Sequence, residues 1–280
     1  MLGRTLSRTS RRGFLFAVAL ASALPLIAAG AASARTVEDA KAAGTVVVGI
    51  QGDNQPWGFI DASGVQSGFD ADIAKAFGEY LGVEVKFVPL AVANRIPALA
   101  TGKVDVLFAT MAMTEERAQS IQYSQPYAAN AIYLVGSKDA AIAGPEDLSG
   151  MSVGVPRSST MDTAVTAVAP ADTEILRFDD DAANIQALLS GQVDTVGANQ
   201  FYMQRLETAS AGTYENKFEL VRSHNGAGSR LGEKDWNEAL NAFLDAFMAT
   251  PEYAAIYEKW IGVEVPEFPE SIPNIPFTVQ

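Results

Sequence analysis

No cysteine occurs in the 280 residues, which excludes disulfides, a thiolate metal site and an acylated cysteine that would tether the chain to lipid. Histidine is confined to His224, in the polar stretch RSHNGAGS, so zinc would find almost no ligands and no metal is expected. GxSxG, HExxH, a glycine-rich phosphate loop and a calcium loop are all missing, and no cofactor is expected. Positive charge is scarce: 20 Lys and Arg face 33 Asp and Glu, a formal charge of −13. Such a surface argues against nucleic acid and anionic membrane as partners. After residue 34 no apolar run approaches the roughly 18 residues that a membrane helix requires.

What is present is a chain with 48% hydrophobic residues, enough to fill one large core or two smaller ones. Its start reads as an export signal over residues 1–34. Paired arginines in SRRGFLF precede the apolar run from Phe14 to Ala29, and AASA ends at Ala34 with the small-x-small pattern of a cleavage site. Arg-Arg followed by Gly-Phe-Leu fits the twin-arginine type, with an ordinary secretory signal as the alternative. Residues 1–34 hold Arg4, Arg8, Arg11 and Arg12 and no acid, so the remainder carries 20 − 4 = 16 basic and 33 acidic residues, a formal charge of 16 − 33 = −17. The expected location is the periplasm of a Gram-negative bacterium, as a freely diffusing monomer without a lipid anchor.

The rest alternates strand and helix. TVVVGI is a β-branched strand, DASGVQSG has turn chemistry, and Phe69, Ile73, Phe77 and Leu81 recur every four residues as one helix face, with Asp70 as its expected cap. VEVKFVPL is a second strand. RIPALATGKVDVLFA is a helix closed by Gly102 that runs into a third strand, Val104 to Ala109. The pattern restarts with MSVGVP, TMDTAVTAVA and TEILRF, and AANIQALLSGQVDTVGA repeats the helix, glycine and strand unit. KDWNEALNAFLDAFMATPEYAAIYEKW is a helical hairpin, and the proline-spaced tail Val263 to Gln280 is expected to be extended and packed against a neighbour. The alternation implies α/β lobes with parallel sheets covered by helices, and the repeated unit implies two of them. Ligands of such sheets gather beyond the carboxyl ends of the strands.

One residue breaks a local rule. In MAMTEERAQSIQYSQPY, Thr114 is a good helix cap and Glu115 and Glu116 suit the positive helix end, but Arg117 occupies the third helical position, where a cation costs about 0.3–1 kcal/mol. Such violations concentrate at functional sites. Arg117 can offer a forked donor set to a carboxylate, or simply pair with Glu115 or Glu116.

GFDADIAKAF followed by RIPALATGKVDVLFATMAMTEERAQSIQYSQPY, with the closing YEKWIG, resembles the extracellular solute-binding proteins of family 3, which serve ABC importers of polar amino acids; the likeness spans nearly all of residues 44–262. It implies a two-lobed clamshell of the class II type, each lobe a mainly parallel sheet flanked by helices. Lobe 1 is expected over 44–128 and 229–280, lobe 2 over 129–228. Two connecting hinge strands are expected near Gln125 to Asn130 and Asn225 to Ser229, their closure around a ligand being a known switching mode. In similar proteins the arginine at position 117 holds the ligand's α-carboxylate, and Thr110 and Thr160 match its hydroxyl helpers, although Thr160 can also cap its helix. Ala112 stands where the family has Ser or Thr. Asn199, the repeat counterpart of Thr110, stands where the family has an aspartate for the α-ammonium. A desolvated ammonium without counter-charge is costly, so either Asp53, Asp162 or Asp181 replaces that charge, or the ligand lacks a free α-amine.

Arg95 is similar to an arginine that acidic-ligand relatives aim at the side-chain carboxylate, and Arg157, beside Ser158, Ser159 and Thr160, can reach the same space; a surface ion pair is the other reading of each. The aromatic walls of relatives match Asn54 and Val92 here. Trp57 is nearby, as a wall or as core, and Gln51 and Asn54 are pocket candidates at the end of the first strand. The implied partners are a small carboxylate-bearing ligand and the permease and ATPase of an importer. The alternatives are a dicarboxylate without an amine, or an enzyme resembling the cyclohexadienyl dehydratases, which needs a general acid in the cleft. A receptor ectodomain would need a membrane-spanning segment.

Overall fold

A computed structural model describes residues 35–279; the export-signal reading of residues 1–34 lies outside them. The described chain opens with α1 (Val37–Ala42), capped by Thr36, and β1 (Thr45–Ile50), where the β-branched run predicted it. Short strands β2 (Asp53–Asn54), β3 (Gly58–Ile60) and β4 (Gln66–Ser67) form a small antiparallel sheet. The amphipathic helix α2 (Phe69–Leu81) follows, then β5 (Glu84–Pro89), α3 (Arg95–Ala100), β6 (Val106–Leu107), the single turn α4 (Glu115–Ala118) and the long β7 (Ile121–Ser137). The second round is β8 (Ser152–Pro156), α5 (Thr160–Val168), β9 (Glu174–Phe178), α6 (Asp181–Leu189), β10 (Thr195–Asn199), α7 (Tyr202–Ala209) and a return strand β11 (Tyr214–Arg230). Helices α8 (Lys234–Phe247) and α9 (Pro251–Ile261) close the fold.

Eight strands run in the order β5-β1-β6-β11-β7-β10-β8-β9. The outer trios are parallel, β1 with β5 and β6, and β8 with β9 and β10. Between them β7 and β11, 17 residues each, pair antiparallel from Tyr214↔Ser137 to Arg230↔Ile121 and join the two lobes. Register shifts interrupt that pair at Asn216/Phe218, Glu219/Val221, Asn225/Gly226 and Gly226/Gly228, the last two within the segment expected as a hinge strand and the first two outside it. Aromatic side chains fill one face of the first lobe, among them Phe69, Phe77, Trp236, Phe243 and Tyr253, while Leu99, Val104, Met111 and Tyr123 fill the other. The second lobe has its own core around Val153, Val155, Val165, Leu188 and Tyr202. Each large apolar side chain so buried contributes about 1.5–3 kcal/mol.

The repeat has a physical cause. Residues 96–110 recur at 185–199, an offset of 185 − 96 = 89. In both copies the helix ends at a glycine with φ 71, Gly102 and Gly191, a left-handed turn that side chains resist. In both, the next aspartate reaches the neighbouring strand: Asp105 Oδ2 accepts from Val47 N at 2.8 Å and Asp194 Oδ2 from Ser152 N at 2.8 Å. The units thus place β6 and β10 symmetrically on either side of the β11/β7 pair.

Three expectations change. Asp70 is not the cap of α2: Gly68, with φ 118, precedes the helix, and the Asp70 carboxylate turns inward. An added Cβ at Gly68 would stand 2.6–2.7 Å from the carbonyl oxygens of Trp57 and Pro56, so no capping side chain fits. The third strand is Val106–Leu107 rather than Val104 to Ala109, and beyond it the carbonyls of Ala109 and Thr110 accept from Arg95. The tail folds back on its own lobe, burying Ile275 and bonding the carbonyls of Pro276 and Phe277 to Gln122, Asn237 and Asn241.

Candidate functional site

A narrow pocket of about 20 Å³ lies between the lobes. From the first lobe it receives Gln51, Asn54, Val92, Arg95 and Thr110. Thr110 adopts φ 51, a left-handed conformation rare outside glycine. Buried Asp70 holds it there: Oδ2 accepts from Thr110 N at 2.7 Å and Oγ1 at 3.1 Å, and Oδ1 accepts from Tyr127 Oη at 2.7 Å. Burial raises the Asp70 carboxyl to about 6 despite those donors. Arg95, 4% exposed, donates Nε to Val92 O at 3.0 Å and Nη1 to Ala109 O at 2.6 Å and Thr110 O at 3.2 Å. It forms no ion pair with any described residue. Burial, then the like charge of Arg117, lowers its pKa to about 9, so it remains a cation at neutral pH.

The second lobe contributes Ser159, Thr160, Asp181 and Asn199, with Asn130 and Ile132 from β7. Ser159 caps α5, accepting from Asp162 N at 3.0 Å. Asn199, at the end of β10, donates Nδ2 to Asn54 Oδ1 at 2.9 Å and accepts from Phe201 N. Asp181 is 1% exposed; it accepts from Tyr202 Oη and, at 3.1 Å, from Gln51 Nε2. Its pKa is raised by burial, against the pull of Arg205, Tyr202 and Arg95. Asn130 Oδ1 is buried and without a partner among the described residues. The pocket therefore presents a guanidinium on one lobe, a carboxylate on the other and an uncommitted acceptor between them.

Arg117 stands at the mouth, in an open groove that shares Thr160 with the pocket. It donates Nη1 to Ala112 O at 3.1 Å and Thr160 Oγ1 at 3.4 Å, and Nη2 to Ser158 O at 3.0 Å, so it spans the cleft. Ala112 serves through its carbonyl, which also accepts from Tyr123 Oη at 2.8 Å. Ser158, with φ 58, is a second left-handed non-glycine residue at this junction. Thr114 Oγ1 accepts from Arg117 N, and neither Glu115 nor Glu116 pairs with Arg117. The structure brings Arg95, Thr110, Thr160, Ser159, Asn199, Asn54 and Gln51 together and sets Arg117 and Ala112 beside them.

Trp57, Arg157 and Asp162 lie elsewhere. Trp57 is fully buried, edge-on to Phe69 and Phe201 with ring centroids 5.7 and 5.6 Å away, and belongs to the core. Arg157 turns away, donating to Arg177 O at 3.2 Å with Asp179 4.0 Å distant. Asp162 pairs with Arg177 in the open groove. Asp70, Asn130 and Tyr202 are site residues that sequence reading missed; of these only Asp70, an acid buried on an apolar helix face, left a signal.

The sequence pattern of the bacterial extracellular solute-binding proteins, family 3, matches residues 46–263. The chain is 28% identical over 252 residues to an L-arginine-binding protein of Pseudomonas aeruginosa, covering 86% of this chain and 97% of that one. Among solved structures it is similar to an ancestral arginine-binding protein bound to arginine, with TM-score 0.74, 36% identity and coverage of 78% and 99%. It is also similar to the ancestral amino acid-binding protein AncCDT-1, a precursor of cyclohexadienyl dehydratase, with TM-score 0.73, 29% identity and coverage of 80% and 98%.

Proposed function

The chain belongs to the bacterial extracellular solute-binding proteins, family 3, and from that membership we propose that it captures an amino acid for the permease and ATPase of an ABC importer. Capture occurs by closure of lobes that meet at 128/129 and 228/229, in the periplasm after loss of residues 1–34. Relatives named for amino acid binding support this reading, and no helix among the described residues is long and apolar enough to cross a membrane.

One observation carries the choice of ligand: Arg95 and Asp181 are buried on facing lobes of one pocket and are not paired with each other. A buried charge needs a partner. Arg117, with Thr110 and Thr160, takes the α-carboxylate; Asp181, with Asn130 Oδ1, takes the ammonium that Asn199 cannot neutralise. Arg95 remains for a second carboxylate. Two guanidiniums and one carboxylate complement a ligand with two carboxylates and one ammonium, an acidic amino acid. The direct bonds Asn54–Asn199 and Gln51–Asp181 give way as it enters.

A thermal-shift screen tests this, since a ligand that binds only the native state raises its melting temperature. Acidic amino acids raise it, and dicarboxylates of the same length without the amine do not. Stabilisation by the dicarboxylate alone would remove Asp181 from the ammonium role. A second reading draws on the raised pKa of buried Asp181, a property of general acids. A dehydratase would consume prephenate or arogenate; the capture reading expects neither to be lost.

A further inference from the structure

Most bonds across the cleft use groups that a ligand would claim. Gln51–Asp181, Asn54–Asn199 and Arg117–Thr160 all involve pocket side chains. Asp53 is different. It stands on β2 of the first lobe, outside the pocket, in a shallow groove with Pro89, Leu90 and Asp180. Its Oδ2 crosses the cleft to accept Asp181 N at 2.8 Å and Ala182 N at 3.3 Å, the first amides of α6. Its carbonyl accepts Arg205 Nη1 of α7 at 2.9 Å. One first-lobe residue thus engages three donors of the second lobe, and two of them are freed donors that a helix start must satisfy.

We infer that Asp53 is a closure latch and the positioning residue for Asp181: it caps α6 across the cleft, holds the Asp181 backbone and so aims that carboxylate into the pocket. The inference rests on the capture reading. Because the latch touches no ligand, its bonds persist when the pocket fills, and they stabilise the closed state whether or not ligand is present. Ligand affinity is reduced by whatever fraction of molecules is not competent to close. Losing the latch therefore weakens binding although no ligand contact is removed.

The test compares Asp53→Ala with Asp53→Asn. The carboxamide oxygen accepts the same two amides, so Asp53→Asn should hold affinity near wild type, while Asp53→Ala should weaken it about five- to tenfold by calorimetry with the amino acid that most raises the wild-type melting temperature. Small-angle scattering of the ligand-free proteins gives a second readout: Asp53→Ala should have a larger radius of gyration than wild type and Asp53→Asn. Circular dichroism spectra matching wild type certify folding. Equal affinity and compactness in Asp53→Ala, or equal loss in both variants, would overturn the latch. A wild type that binds no amino acid would instead sink the capture reading, while scattering still reports on the latch.

Discussion

At the scale of single residues, the proposed function turns on Arg95 and Asp181, buried on facing lobes and not paired with each other. Asp181→Asn removes the ammonium's counter-charge but keeps acceptor and shape, and a hydrogen bond to a charged group is worth about 1.5–3 kcal/mol. Affinity for an amino acid should fall roughly 10- to 150-fold by calorimetry; an unchanged constant assigns the ammonium elsewhere. Asp53 predicts a pH dependence. In the closed form burial, then Asp181 and Asp180, raises its carboxyl to about 6, while Arg205 bonds only the Asp53 backbone carbonyl, whereas a freed aspartate titrates near about 3.9. The closed form therefore takes up a proton, so closure is favoured below that range and the benefit is lost as pH rises through about 6. Affinity should tighten about fourfold from pH 7.5 to 5.5 in wild type and stay flat in Asp53→Asn; a flat wild-type profile would mean that closure takes up no proton there. These carboxylates were hard to read from sequence. The run Asp179-Asp180-Asp181 holds one exposed acid, one helix cap and one buried pocket acid, and only the direction of α6 decides which is which. Arg117 was legible because a cation at a helix start violates a local rule; Arg95 was legible only as a resemblance, since its role depends on three carbonyls that the fold brings to it.

At the scale of elements, periodicity gave most boundaries. β1 coincides with TVVVGI and α2 with the four-residue recurrence from Phe69 to Leu81. The misreadings fall beside the site: the chain after β6 turns its Ala109 and Thr110 carbonyls to Arg95, and Asp70 points inward to hold Thr110. The repeated unit makes its own prediction. Gly102 and Gly191 share φ 71, and a Cβ at either would meet nothing within 4 Å, so alanine there costs conformational energy alone, about 1–2 kcal/mol. Each substitution should lower the melting temperature by about 2–4 °C per kcal/mol and leave ligand affinity unchanged. A loss of affinity without a loss of stability would mean that these turns belong to the site.

At the scale of the molecule, the protein is strongly acidic, with a formal charge of −13, so under the proposed reading the attraction for an anionic group is local, concentrated in Arg95 and Arg117 where the lobes meet. The two-lobed plan was legible from the repeat; the continuous eight-stranded sheet was not, because the 17-residue hinge strands β7 and β11 contain Gly, Pro and Asn that break any strand pattern. Ligand binding shifts the population toward closure by its differential affinity for that state. The most direct measurement is a crystal structure with the amino acid that most stabilises the protein. The account predicts carboxylate oxygens about 3 Å from the Arg117 and Arg95 guanidiniums and the ammonium on Asp181. A ligand bound elsewhere, with Arg117 turned to bulk water, would contradict it.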